Sequence, residues 1–271
     1  MPTHLTRIII VGVDSFMKRL ILMCLLLVGF DVAYADRAKS SFEAANKARD
    51  TGDLLQALDH YEAALNSEPN NLKYGNDYRQ AVVQINQVES YERCIAFFEK
   101  LTTQHTKIPN VWMNFGYAYV DKIPVEGAIT QVLLANTALG YFSKALELED
   151  SWLGHYTRGN SYLYWPAIFG RTPLAIEDLE KAIALSEKEK KSRSFHVRPY
   201  VGLGEAHWRL DDVTKAREIW KSAAKRFPDN EDLKKRLSMD DEALTAFLTT
   251  HFEPGKRVNT DLNILWEEEQ Q

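Results

Sequence analysis

Apolar residues along the chain recur at three- and four-residue spacings, the period of amphipathic helices, with no sustained strand-like alternation. The clearest stretch is Arg198–Asn230. Tyr200, Leu203, Gly204, His207 and Leu210 mark one helix, and Val213, Ala216, Trp220, Ala223 and Phe227 mark a second. Asp211 and Asp212 offer side-chain oxygens to the orphan N–H groups that open the second helix, and Pro228, with no N–H to donate, ends it. Small residues at Gly204, Ala216 and Ala223 let the backbones approach, while Tyr200 and Trp220 fill the space around them. The pattern predicts a helical hairpin.

The same phase returns upstream with variations. A first unit, from about Ala38 to Asn71, has Ala44, Ala45 and Ala48, a turn at Gly52-Asp53, then Ala57, Tyr61, Ala64 and Pro69. A second, about Gly75 to Ile108, has Tyr78, Ala81, Val82 and Ile85 followed by Cys94, Phe98 and Leu101. A third opens with Trp112, Phe115, Gly116 and Tyr119. Its partner residues Ala138, Phe142 and Ala145 arrive late, which predicts a lengthened second helix after a loop at Ile123-Pro124. A fourth carries Trp152, Gly159 and Tyr162, then Ala175, Leu179 and Ala182. Its aromatic loop, Tyr164–Arg171, either folds back over the repeat edge or forms a contact surface. Beyond Asn230 the pattern predicts a polar, solvent-facing lid helix at Glu231–Leu237 and a short helix at Asp241–Phe252. Val258–Trp266 is expected to pack back onto the body, because a lone Trp is seldom left in water.

Tyr200, Leu203, Gly204, Ala216, Ala223 and Pro228 fall at the spacing of the tetratricopeptide repeat (TPR), which the chain resembles over about residues 38–237. His207 and Trp220 stand where Tyr and Phe are usual. The resemblance implies an all-α fold, a right-handed α-solenoid of about five TPR-like hairpins with C-terminal capping helices. It divides the chain into residues 1–35, a solenoid at 36–237, and a capping helix and tail at 238–271. It also implies a concave groove, walled by the first helix of each repeat, that holds a protein or peptide. Projecting the family's geometry points Phe42, Asn46 and Arg49 into that groove, then Arg79 and Asn86, Met113 and Tyr117, Tyr156 and Asn160, and finally Glu205 and Trp208. The family's carboxylate clamp is not reproduced. Asn46 matches it, but Phe42, Gln80, Asn110 and Asn114 replace its remaining cations and amide.

The N-terminal region changes the functional picture. Met17-Lys18-Arg19, the apolar run Leu20–Phe30 and the small residues of Ala33-Tyr34-Ala35 have the form of a secretory signal, with cleavage predicted between Ala35 and Asp36. The apolar run is shorter than the roughly 20 residues a bilayer span requires. A second apolar patch at Ile8–Val13 precedes a signal that is already complete, so Met17 is the expected translation start. The mature chain is therefore expected to be periplasmic or secreted, with no membrane partner once cleaved. Net charge is −5, with no Lys/Arg-dense segment, which argues against nucleic acid. Of the two cysteines, Cys24 lies in the signal and Cys94 on an apolar helix stripe, so neither an internal disulfide nor a multi-cysteine metal site is expected.

Catalytic patterns are missing from the sequence: there is no GxSxG, HExxH, GxxxxGK[ST], CxxC or GxGxxG, and the seven histidines are scattered one to a region. No catalytic, cofactor-binding or metal-ligating residue is assigned. The expectation is a non-catalytic protein- or peptide-binding scaffold or assembly factor of the periplasm or cell envelope. Two alternatives stand beside it: an accessory subunit of an envelope enzyme complex, and a TPR adaptor tethered to the membrane by an uncleaved N-terminal segment. Hidden chemistry, if present, would sit beside His155, Tyr156 and Trp208.

Overall fold

The computed structural model describes residues 35–253 and 257–267. The expected signal segment, Ala33 included, lies outside the described residues. Ala35 and Asp36, on either side of the expected cleavage point, are exposed at the start of the first helix. Among the described residues every regular element is helical. The chain divides into two compact units, 1–68 and 69–271, with the division falling inside the expected 36–237 span.

The first unit is a hairpin of α1 (35–50) and α2 (Leu54–Ser67). Gly52 adopts φ +83°, a left-handed conformation that closes α1 without a Cβ penalty. Asp53 then caps α2, its carboxylate accepting from the Gln56 N–H at 3.2 Å. Ala45, Ala48, Ala57 and Ala64 are buried as the spacing predicts. The Tyr61 hydroxyl donates to Asn46 Oδ1 at 2.7 Å, and the Phe42 ring lies 5.8 Å from that of Tyr61.

The second unit stacks four hairpins: α3 (Leu72–Ile85) with α4 (Val88–Gln104), α5 (Pro109–Lys122) with α6 (Ala128–Leu148), α7 (Trp152–Leu163) with α8 (Thr172–Ser186), and α9 (Arg198–Arg209) with α10 (Val213–Arg226). Each second helix packs on the first helix of the next hairpin, and α3 meets α5 as α7 meets α9. Then come α11 (Glu231–Ser238), α12 (Asp241–His251) and α13 (Ile264–Glu267). The fold is thus an all-α solenoid of paired helices, five TPR-like hairpins with extra helices at the C-terminal end.

Local sequence explains the punctuation. Asn71, Ser151, Asp212, Asn230 and Asp240 each cap the helix they precede by accepting a backbone N–H. Proline stands in the first turn of α5, α8 and α9, where the missing N–H costs nothing. Within the α9–α10 pair the crossing is close: a Cβ on Gly204 would lie 2.2 Å from Trp220 Nε1. Trp220 is fully buried, and its indole N–H donates to Val201 O at 3.1 Å.

Three local expectations resolve. A 3-10 turn at Ile123–Val125 precedes the lengthened α6, whose first half leaves Ile129 82% and Leu133 63% exposed. The aromatic loop splits between its two readings. Trp165 is buried under the Arg171 guanidinium, 4.2 Å from its ring, whereas Ile168 is 90% exposed. The helix expected to be a solvent-facing lid, α11, is two-faced: Leu233 and Arg236 are buried and only the opposite side meets water. Its apolar residue completes the core around Trp220, so it is a packing layer as well as an end.

Candidate functional site

The first helices of the second unit carry polar residues on a face that packing alone would make apolar. On α3, Asn76, Asp77 and Arg79 are buried, and on α5 Asn114 and Asp121 are buried with them. Arg79 is fully buried, so its fork of N–H donors needs acceptors on every side. It finds Asn114 Oδ1 at 3.3 Å, Asp121 Oδ2 at 2.9 Å, Asn76 Oδ1 at 3.3 Å and the main-chain carbonyl of Thr260 at 3.3 Å. Its guanidinium carbon lies 4.5 Å from the Tyr117 ring centre.

The last of those acceptors belongs to the C-terminal tail, which lies along α3 in the opposite chain direction. Arg257 donates to Asn86 Oδ1 at 3.3 Å, to the Tyr91 hydroxyl at 2.9 Å and to the Asp121 carbonyl at 3.4 Å. The Thr260 hydroxyl donates to Asp121 Oδ1 and accepts from Gln80 Nε2 at 3.4 Å. The Leu262 N–H donates to Asn76 Oδ1 at 2.9 Å, and Asn76 Nδ2 donates to Asp261 Oδ1 at 3.2 Å. Leu262, 5% exposed, joins Met113, Tyr117, Ala138, Phe142 and Ala145 in one apolar cluster. Trp266 ends the track, with Lys73 Nζ 5.4 Å from its ring. The expectation that Val258–Trp266 packs back onto the body therefore matches the geometry, and what it covers is one part of the projected wall, at Arg79, Asn86, Met113 and Tyr117.

The other half of the unit is covered differently. Glu205 on α9 is buried and accepts from Arg236 of α11, through Nε at 3.0 Å and also through Nη2. Trp208 stacks on Phe252, just past α12, with ring centres 6.5 Å apart. Tyr164 sits edge-on to Phe252 at 5.2 Å and pairs its hydroxyl with His251 Nε2 at 3.3 Å.

The projected wall residues thus divide. Phe42, Asn46 and Arg49 lie on α1 in the first unit. Arg79, Asn86, Met113 and Tyr117 meet the tail, Glu205 meets α11, and Trp208 meets the end of α12. Tyr156 stacks on Trp152 at 5.3 Å, and Asn160 is half-buried on α7. Sequence reasoning missed Asn76 and Asp121 on the wall and Thr260 and Leu262 on the tail, and weighed Asn114 only as a clamp position. The available signal was polar residues in core-phase positions of α3 and α5, which a repeat keeps only where hydrogen-bond partners exist.

Electrostatics reinforce the burial. Burial drives the Asp121 carboxyl upward against the opposing pull of Arg79 and the Thr260 hydroxyl. Burial also raises the Tyr117 phenol to about 12, so it stays a neutral hydrogen-bonding group, 2.5 Å from Thr157 Oγ1. Beside the position considered for hidden chemistry, His155 lies between Asp178 at 2.8 Å and Asp150 at 2.7 Å, with one ring nitrogen on each. Burial alone would lower its pKa, but the two carboxylate bonds outweigh it and the net shift is upward. Both nitrogens being engaged, the ring ties elements together and holds no lone pair for a substrate. Among the described residues no group of three or more His, Cys, Asp and Glu is placed to hold a metal ion, and no helix is long and apolar enough to cross a membrane.

Similarity to known proteins lies at the level of the fold. A thermophilic TPR protein of Thermus thermophilus superposes with a TM-score of 0.53 at 18% identity, covering 77% of this chain and 99% of its own. A tetratricopeptide repeat protein of Parabacteroides merdae gives 0.52 at 16% identity, covering 81% of this chain and 77% of its own. No family model and no curated protein matches the sequence. At such identities the likeness establishes the paired-helix fold.

Proposed function

We propose that the chain is a non-catalytic binding module for a protein or peptide, acting as a scaffold or assembly factor in the periplasm or cell envelope. The observation that carries the binding role is that the face of α3 and α5 already holds a non-helical polypeptide segment, reaching its main chain at Thr260 O and at Leu262 N. Side chains that satisfy a peptide backbone recognise a non-helical polypeptide, and the neighbouring apolar cluster selects for its side chains. The export role rests on the basic, apolar and small-residue order of Lys18-Arg19, Leu20–Phe30 and Ala33-Tyr34-Ala35.

Two measurements test this. A photo-cross-linking residue placed at Asn160, on the projected wall, is expected to trap a polypeptide partner in cells. The same residue at Glu218, exposed on the second helix α10, is expected to trap none. Equal yields at both sites would remove the wall from the function. N-terminal sequencing of protein from a fractionated cell is expected to begin at Asp36 in the envelope or periplasmic fraction, and an intact leader in the cytosol would sink the export role.

A further inference from the structure

The tail that covers α3 and α5 has the properties of a ligand. Thr260, Asp261 and Leu262 are held by bonds to Arg79, Asn76, Asp121 and Gln80, all of them hydrophilic groups that water can satisfy when the tail is away. Its apolar contribution is one buried side chain, Leu262, seated with Met113 and Tyr117, and the half-buried Leu265 and Trp266 beside it. The α11–α12 cover is built otherwise: Leu233, Leu244 and Leu248 are each fully buried in the core that contains Trp220. One half of the face is closed by core, the other by a polar, sequence-ordered contact.

We propose that residues 257–267 are an internal competitor, and that the surface of Asn76, Arg79, Tyr117, Asp121 and Tyr91 takes in trans a non-helical segment of a partner protein with the same chemistry. That segment presents a guanidinium, a hydroxyl three residues later and a leucine-sized side chain two residues beyond that, the order of Arg257, Thr260 and Leu262. The guanidinium meets Asn86 and Tyr91, the hydroxyl meets the Asp121 carboxylate, and the apolar side chain enters the cluster at Met113. Tethering gives the tail an effective concentration of about millimolar, so the surface is closed until a partner outcompetes it or the tail is drawn off. Apparent affinity then scales with the fraction of molecules whose tail is released. The inference rests on reading the second unit as a polypeptide-binding module.

The test uses the full chain and a labelled synthetic peptide of residues 257–267, followed by fluorescence anisotropy. Leu262→Asp in the protein is expected to detach the tail and raise affinity for the wild-type peptide at least tenfold over the unmutated protein. A peptide carrying Thr260→Val and Leu262→Asp is expected not to bind. Equal affinity of the two proteins, or no binding to a variant that keeps its helix content, overturns the proposal. So does a concentration-dependent dimer of the unmutated chain whose tails have exchanged, since the occupant is then a second copy. Should Leu262→Asp fail to fold, amide exchange on the unmutated protein decides. Residues 258–266 are expected to exchange well before α4 and α5, and exchange only through global unfolding counts against a releasable tail. Cross-linking at Asn160 reports on the binding module itself, so the two readings fail separately.

Discussion

The α3–α5 and α7–α9 halves of the second unit are built from the same repeat and closed by the same C-terminal region, yet by opposite physics. Over α7 and α9, helices α11 and α12 add Leu233, Leu244 and Leu248, and the residue after α12 adds Phe252, to a continuous apolar core. Their one buried ion pair, Glu205 with Arg236, is enclosed within that packing. Over α3 and α5 the cover is an irregular segment held by a run of hydrogen bonds, with Leu262 inserted and the half-buried Leu265 and Trp266 beside it. Apolar burial is lost only by unfolding, whereas a polar contact trades protein partners for water at a net of about 1 kcal/mol per bond. The contrast makes the α11–α12 cover part of the core and the tail, on the proposal above, an exchangeable contact.

The largest expected effect comes from attacking the closed half. Glu205→Ala removes the one buried carboxylate from the buried Arg236 guanidinium and leaves it only the exposed Asp232 at 3.5 Å, which costs about 3–5 kcal/mol. Urea unfolding should register that loss as a lowered midpoint for the whole second unit. A value within about 1 kcal/mol of the parent, no more than an exposed ion pair contributes, would mean that α11 is a loose cap, and the comparison would collapse.

A matched glycine pair sharpens the contrast at a smaller scale. Gly204→Ala forces a Cβ to within 2.2 Å of the Trp220 indole, which has nowhere to go, so a cost of about 1–3 kcal/mol is expected. Gly75→Ala meets Asn114 Nδ2 at the same 2.2 Å and its Cγ at 2.4 Å, so this small polar side chain must swing as a whole out of its bond to Arg79, a smaller displacement than that of an indole. The melting temperature is expected to fall less than for Gly204→Ala, and tail amides to exchange faster, because Asn114 supports Arg79. Reversal of that order in thermal melts would assign the polar cluster to the rigid core.

Leu262→Ala is expected to leave the global melting midpoint within about 2 °C, a shift worth about 1 kcal/mol or less for a unit this size. Hydrogen exchange at residues 258–266 should nevertheless accelerate about tenfold, the mark of local release. A global drop of the size usual for a core Leu, about 2–5 kcal/mol, would make the tail part of the core.

The smallest effect is a pH slope. His155 has its pKa raised on folding, so its contribution is fully present below the usual histidine value of about 6.5 and disappears as pH climbs through the folded value. His155→Gln should flatten stability against pH in that window while Leu262→Ala leaves the slope untouched. Parallel profiles for parent and His155→Gln would show that the Asp178–His155–Asp150 bridge carries no stability.

Much of this was legible in the chain. The spacing of Tyr200, Leu203, Gly204, Ala216 and Ala223 fixes a close-packed hairpin, because only small residues allow the approach that the Trp220 indole then fills. Asp53 and Asp212 cap their helices as read, and the late arrival of Ala138 and Phe142 foretold the long α6. Those are local properties, set by a 3.6-residue period and by side chains acting on their own backbone.

The wall residues were legible only as positions. Periodicity places Arg79, Met113 and Tyr117 on the first helix of a repeat, but what lies over them is decided by contacts between residues more than a hundred positions apart, such as Arg79 with Thr260 and Asp121 with Arg257. A pattern that repeats about every 34 residues carries no information on where an irregular tail comes to rest. The sequence determined the helices, their pairing and their caps, since each is a short-range consequence of period and composition. Tertiary structure alone decided that the projected face at α3 and α5 is already covered, because hydrogen-bond complementarity between α3 and residues 257–262 exists only once the chain has turned back on itself.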